Sequence, residues 1–169
     1  MMAKTGCKAG EQCYERERDR SHKASYFVVT PLSDEGIATI VRALEQLQAD
    51  PRLADGTVDL NAYGGVINRV AADANAFVHR NALASVQYTA EYAERDPSDV
   101  VDANAAWLRD FYAAMRPYVS GFAYQNSIDP ELADWKHAYY GDNYLRLVRV
   151  KAAYDPDNVF RFAQSISTS

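Results

Sequence analysis

Between Ala84 and Tyr92 the chain alternates without a break. Ala84, Val86, Tyr88, Ala90 and Tyr92 fall on one side, and Ser85, Gln87, Thr89 and Glu91 on the other. A repeat of two is the signature of a strand. One apolar and one polar face further implies a sheet covered by helices on one side only, its other side wet or part of a site. A second stretch repeats the pattern, with Val58, Leu60 and Ala62 opposed to Asp59, Asn61 and Tyr63. Gly64-Gly65 then permits a turn or bulge. Tyr26, Phe27, Val28 and Val29 are strand formers stopped by Pro31, and Gly121-Phe122-Ala123-Tyr124-Gln125-Asn126 reads as a further short strand. The first and last strands are expected at the sheet edges.

Helices fill the intervals. Ser33 reads as an N-cap, with Asp34 and Glu35 in the first turn and a stripe of Ile37, Ile40, Val41, Leu44 and Leu47 ending before Pro51. Asp96-Pro97 opens the longest helix, with Pro97 at its first position. Val100, Val101, Trp107, Leu108, Phe111, Tyr112 and Met115 recur at helical spacing up to Pro117, and such aromatic stripes usually form core. Asp142 is the expected N-cap of a last helix, with Leu145, Val148 and Ala152 on one face and Leu147, Val150 and Tyr154 on a neighbouring one. It should stop near Asp155, because the residue before Pro156 is pushed out of the α region. Phe160 and Phe162 carry enough apolar surface to pin the chain end. There is no strict βαβ rhythm. The fold class expected is therefore α+β: an antiparallel sheet with helices packed on one face, plus a C-terminal helix and anchored tail.

The chain has 169 residues, 48% hydrophobic and 24% charged, with a net charge of −5. That suits one domain with a real core. Residues 24–169 are expected to form it. Residues 1–23, with Arg16, Glu17, Arg18, Asp19 and Arg20 alternating in sign, are expected to be a disordered or fraying leader. The acidic balance speaks against nucleic acid as a partner. No apolar run approaches the ~20 residues of a membrane span, and no signal-peptide core is present, so a cytoplasmic location is expected. Cys7 and Cys13 could pair, or bind metal with His22; two free thiols are the simpler reading, because a zinc site needs about four ligands. By residue chemistry alone the chain holds no GxGxxG, GxSxG, phosphate loop or metal quartet.

A denser pattern runs from Tyr139 to Ile166: Tyr139-Tyr140-Gly141, Asn143, Arg146-Leu147, Val150-Lys151, Tyr154-Asp155-Pro156, Asn158, Phe160 and Gln164-Ser165-Ile166. It resembles the C-terminal signature of berberine-bridge-enzyme-like FAD-linked oxidases, members of the wider vanillyl-alcohol-oxidase type. Upstream, Ser25-Tyr26, Pro31-Leu32-Ser33, Tyr63-Gly64-Gly65, Phe77-Val78-His79-Arg80 and Gln87-Tyr88 resemble that family's substrate domain. Tyr124-Gln125-Asn126 with Asp129 resembles its YxNYxD strand. The resemblance covers residues 24–166, with 121–166 as the C-terminal berberine-bridge-type segment.

The resemblance implies a substrate-domain portion that works against FAD only when a separate FAD-binding domain or subunit supplies it. Such enzymes oxidise organic alcohols, sugars or secondary metabolites by hydride transfer. Asn126, Tyr140 and Asn143 match positions near the flavin, and their amides and phenols suit a polar ring edge. Tyr124 and Gln87 are the catalytic candidates. The family's tyrosine base falls at Ser127, and its supporting lysine at Ser85; serine has no useful acidity near neutral pH. Gln87 can orient a substrate but cannot take a proton. The alternatives are a stand-alone, flavin-free metabolite- or partner-binding protein or non-redox enzyme, and a truncated product whose exposed surfaces self-associate.

Overall fold

The computed structural model describes residues 20–53 and 56–169. Three strands build one antiparallel sheet: β1 (Arg20–Val28), β2 (Gly56–Ala62) and β3 (Ala84–Tyr92), in the order β1-β3-β2. The alternation at 84–92 therefore marks the central strand. β1 begins at Arg20, so the four residues before Ala24 belong to the sheet and not to a leader. The remainder of the expected leader, with Cys7 and Cys13, lies outside the described residues.

The register settles which side chains share a face. Ala24 pairs with Tyr88, and Tyr26 with Val86, while Val58 faces Tyr88 from the other edge. These residues pack against α1 (Asp34–Ala49) and α2 (Ser98–Met115), where Trp107, Leu108, Phe111 and Met115 complete the core. Burying such side chains stabilises by roughly 1.5–3 kcal/mol each. Tyr26 stacks on Tyr112 with ring centroids 4.1 Å apart, and the Trp107 indole donates to the Ala43 carbonyl at 3.1 Å. Burial drives the phenols of Tyr26 and Tyr88 well above their ordinary range.

Ser33 caps α1, its hydroxyl accepting from the Gly36 amide at 3.2 Å. The stripe expected on α1 is rotated, however. Gly36, Thr39 and Ala43 are buried, with Ile40, Leu44 and Leu47 beside them, whereas Ile37 and Val41 face outward. Small residues win the inner face because α1 lies close to its neighbours: a Cβ on Gly36 would meet the Tyr118 ring at 3.1 Å. α2 begins one residue later than expected, with Pro97 as its cap.

Two short helices end the chain, α3 (Trp135–Tyr140) and α4 (Tyr144–Tyr154), joined by a 3₁₀ turn at Gly141–Asn143. Asp142 is thus not the cap; it sits inside that turn, and Asn143 precedes α4. α4 stops at Asp155, as Pro156 requires. The tail is anchored, but not by its phenylalanines. Phe160 is 79% exposed and Phe162 56%. Polar bonds hold the chain end: the Asp155 carboxylate accepts from the Val159 and Phe160 amides, Lys151 bonds both Asp155 and the Phe160 carbonyl, and Gln164 donates to the Asp129 carbonyl at 2.7 Å. No helix among the described residues is long and apolar enough to cross a membrane.

Candidate functional site

The sheet face away from α1 and α2 carries Ser25, Phe27, Ser85, Gln87 and Thr89, with Asp59 and Asn61 on β2 opposite Gln87 and Ser85. Residues 121–126 start along the free edge of β1 without forming a strand and turn onto this face from Tyr124. Pairing is limited to Phe27, whose N–H donates to the Phe122 carbonyl at 3.0 Å and whose carbonyl accepts from Ser120 at 2.9 Å. The ladder then breaks, because the Tyr124 N–H turns to the Ser25 hydroxyl at 2.9 Å. The chain reverses through Gln125-Asn126, closed by the Ser127 amide on the Tyr124 carbonyl at 2.9 Å, a turn that asparagine favours.

That reversal gathers three of the expected site residues. The Ser127 hydroxyl donates to Gln87 Oε1 at 2.6 Å, and Asn126 Nδ2 donates to the Tyr124 phenolic oxygen at 2.9 Å. Tyr124 with Asn126 and Gln87 with Ser127 are therefore two hydrogen-bonded pairs that one turn brings together. Ser25, Ser85 and Thr89 lie beneath the covering segments, while Gln87 is half-buried and Asp59 and Asn61 are open to solvent. The segments bonded or stacked directly onto this face, residues 122–127 and 77–79, are loops, and the helix at Trp135–Tyr140 backs them through the His79 and Ala123 bonds.

Rings frame the group. Phe27 is completely buried and stacks on His79 with centroids 4.1 Å apart; Tyr63, Phe77 and Tyr124 meet it edge-on at 5.4, 5.9 and 6.1 Å. Burial raises the Tyr63 phenol, the nearby Tyr124 adds to this, and the Ser85 hydroxyl opposes it. Tyr63, Phe77 and His79 were not singled out as site residues by sequence. Their only signal there was the resemblance of the short motifs that contain them.

Tyr140 and Asn143 lie apart from this group. Tyr140 is half-buried between Tyr139 and Tyr144, and burial raises its phenol. Asn143 is buried, its Nδ2 donating to the Ala72 carbonyl at 2.6 Å and to the Asn75 carbonyl at 3.0 Å. Arg146 adds a bond to the Asp73 carbonyl at 2.7 Å. Together they clamp the loop that delivers Phe77 and His79. Arg80 finishes the loop, bonding the Asn75 side chain and lying 4.7 Å over the Phe77 ring. Gly141, at φ +49°, lets the backbone pass: a Cβ there would meet Val78 at 3.3 Å.

A cleft of about 760 Å³ opens on the other side, between β1, α2 and residues 129–138, and Gln87, Tyr124 and Asn126 do not line it. Asp129 borders it, its carboxyl raised chiefly by burial.

Comparison with known proteins points to one group. Residues 123–167 match the family described as Berberine and berberine like. The chain belongs to the berberine-bridge-like family. It is 34% identical over 187 residues to berberine bridge enzyme-like D-1 of Nicotiana tabacum, covering 92% of this chain and 32% of that protein. It is 35% identical over 144 residues to the uncharacterized FAD-linked oxidoreductase YgaK of Bacillus subtilis, covering 85% and 30%. The structure of BBE-like 1 from Physcomitrella patens superimposes with a TM-score of 0.75 at 31% identity, over 88% of this chain and 30% of that one. The berberine-bridge-like chain thus spans about a third of the length of the relatives it matches.

Proposed function

We propose that this chain is the substrate-side wall of a FAD-dependent oxidoreductase, with the flavin presented by a FAD-binding module. The carrying observation is the group Tyr124–Asn126–Gln87–Ser127 on the sheet face turned away from the helices, ringed by Phe27, Tyr63, Phe77 and His79. Its residues fit a planar polar ring: the half-buried Tyr63, Phe77 and Tyr124 rings beside the Asn126 and Gln87 amides. Asn126 would meet that ring directly, and Asn143 would act on it through the loop it clamps. A bound flavin supplies the hydride acceptor. Tyr124 is then the phenol available for proton transfer, its oxygen already accepting from Asn126, while Gln87 orients the substrate. The substrate class is a hydroxylated organic molecule, and a cytoplasmic location goes with this reading.

Co-expression with the FAD-binding domain of a matched relative tests it. A yellow complex that retains flavin through size-exclusion is expected; a colourless preparation both alone and co-expressed would overturn the proposal. Ser85 and Ser127, neither able to take a proton near neutral pH, favour a second reading: a flavin-free module that binds a metabolite or catalyses a non-redox step. Metabolite binding by the colourless chain would support it.

A further inference from the structure

Gln87 and Ser127 are 40 residues apart in the chain yet 2.6 Å apart in space. That separation is normal for O–H···O, about 2.5–3.0 Å, and short for N–H···O, about 2.7–3.2 Å. The Gln87 atom facing Ser127 is therefore the carbonyl oxygen, and the serine, 3% exposed, is the donor. The amide nitrogen is turned away. Its partner is the Thr89 hydroxyl at a long 3.4 Å, which can engage at most one of its two hydrogens. Gln87 is half-buried while Ser127 is buried, so the part of this pair that opens on the face belongs to Gln87.

We propose that Ser127 is a positioning residue: it locks the Gln87 amide so that the NH2 group faces outward, and the ligand atom met there is a hydrogen-bond acceptor. The inference names the chemistry of the substrate contact at the site proposed above and rests on that reading for the contact's purpose. The orientation itself does not depend on flavin. At this point the face donates to a carbonyl, ether or other acceptor atom, and draws no proton from a hydroxyl.

NMR of the ¹⁵N-labelled full chain tests it, with the Gln87 side-chain pair identified by its loss in Gln87→Leu. Expected are cross-relaxation contacts from the NH2 protons that are stronger to the Thr89 methyl than to the Ser127 β-protons. Ser127→Ala should move the pair toward the shifts of free glutamine, and Ser127→Thr should restore it. Dimethyl sulfoxide, a neutral acceptor-only probe, should shift the pair in wild type and lose that effect in Ser127→Ala. Stronger contacts to the Ser127 β-protons than to the Thr89 methyl would show the amide turned the other way and overturn the proposal. So would a pair indifferent to Ser127→Ala or to the probe. If Ser127→Ala fails to fold, the wild-type contacts and the probe still decide. A colourless co-expressed complex would defeat the flavin reading while leaving these spectra unchanged.

Discussion

His79 is 3% exposed, stacked on Phe27, and its Nε2–H can only donate to the Tyr139 carbonyl, 3.1 Å away. Burial lowers its pKa to about 4; the Tyr139 bond opposes the shift and Arg80 adds to it. An unfolded histidine near pH 6.5 binds its proton first, so acid favours unfolding. The stabilisation held by neutral His79 is complete above pH 6.5 and is lost as the pH falls toward 4, by roughly 3 kcal/mol in all. Urea unfolding across that window checks this: the wild-type curve should fall more steeply than that of His79→Phe, and parallel curves would refute it. Asn143→Ala leaves the Ala72 and Asn75 carbonyls without their donor and should cost about 1–3 kcal/mol. It should also speed amide exchange around Phe77. Loss of flavin from the complex with unchanged exchange would instead assign Asn143 a direct contact. No periodicity foretells this residue's bonds, because its acceptors lie about seventy positions upstream.

Elements were legible where their signals are local. The Ser33 cap, the breaks at Pro31 and Pro156, and the alternation at 84–92 all reappear in three dimensions. Ser33→Ala should cost about 1 kcal/mol, read from thermal melts. Failures came where a neighbour overrides the pattern. Residues 121–126 have strand composition, yet the Tyr124 amide meets a hydroxyl in place of the next ladder carbonyl. α1 turns small residues inward because the space is narrow. The same tightness marks Gly56, where a Cβ would come within 2.0 Å of Leu47 and 3.2 Å of the Trp107 ring. Gly56→Ala should therefore destabilise by about 1–3 kcal/mol through overpacking. In the tail, Phe160→Ala should change stability little, while Asp155→Ala, which releases the Val159 and Phe160 amides, should loosen residues 156–166. Equal effects of the two substitutions on denaturation midpoints would contradict the polar anchor.

At the scale of the molecule, apolar surface is left outside. Leu145, Val150, Tyr154, Val159, Phe160 and Phe162 are exposed on α4 and the tail, and Ile37 and Val41 on α1. Large exposed patches mark surfaces that meet another protein, which fits a chain spanning about a third of its relatives' length. Light scattering on the isolated chain should show concentration-dependent association that a co-expressed FAD-binding module suppresses; a monomer at every concentration would count against an interface there. The strands, the helix caps and stops, and the family signature follow from residue order, because each depends on spacings of a few positions along one backbone. Only the folded chain decides that Ser127 reaches Gln87, that Asn143 clamps a distant loop, and that α1 hides its small side. Periodicity selects a face, but the partner that face meets depends on which remote segments the fold brings within bonding distance.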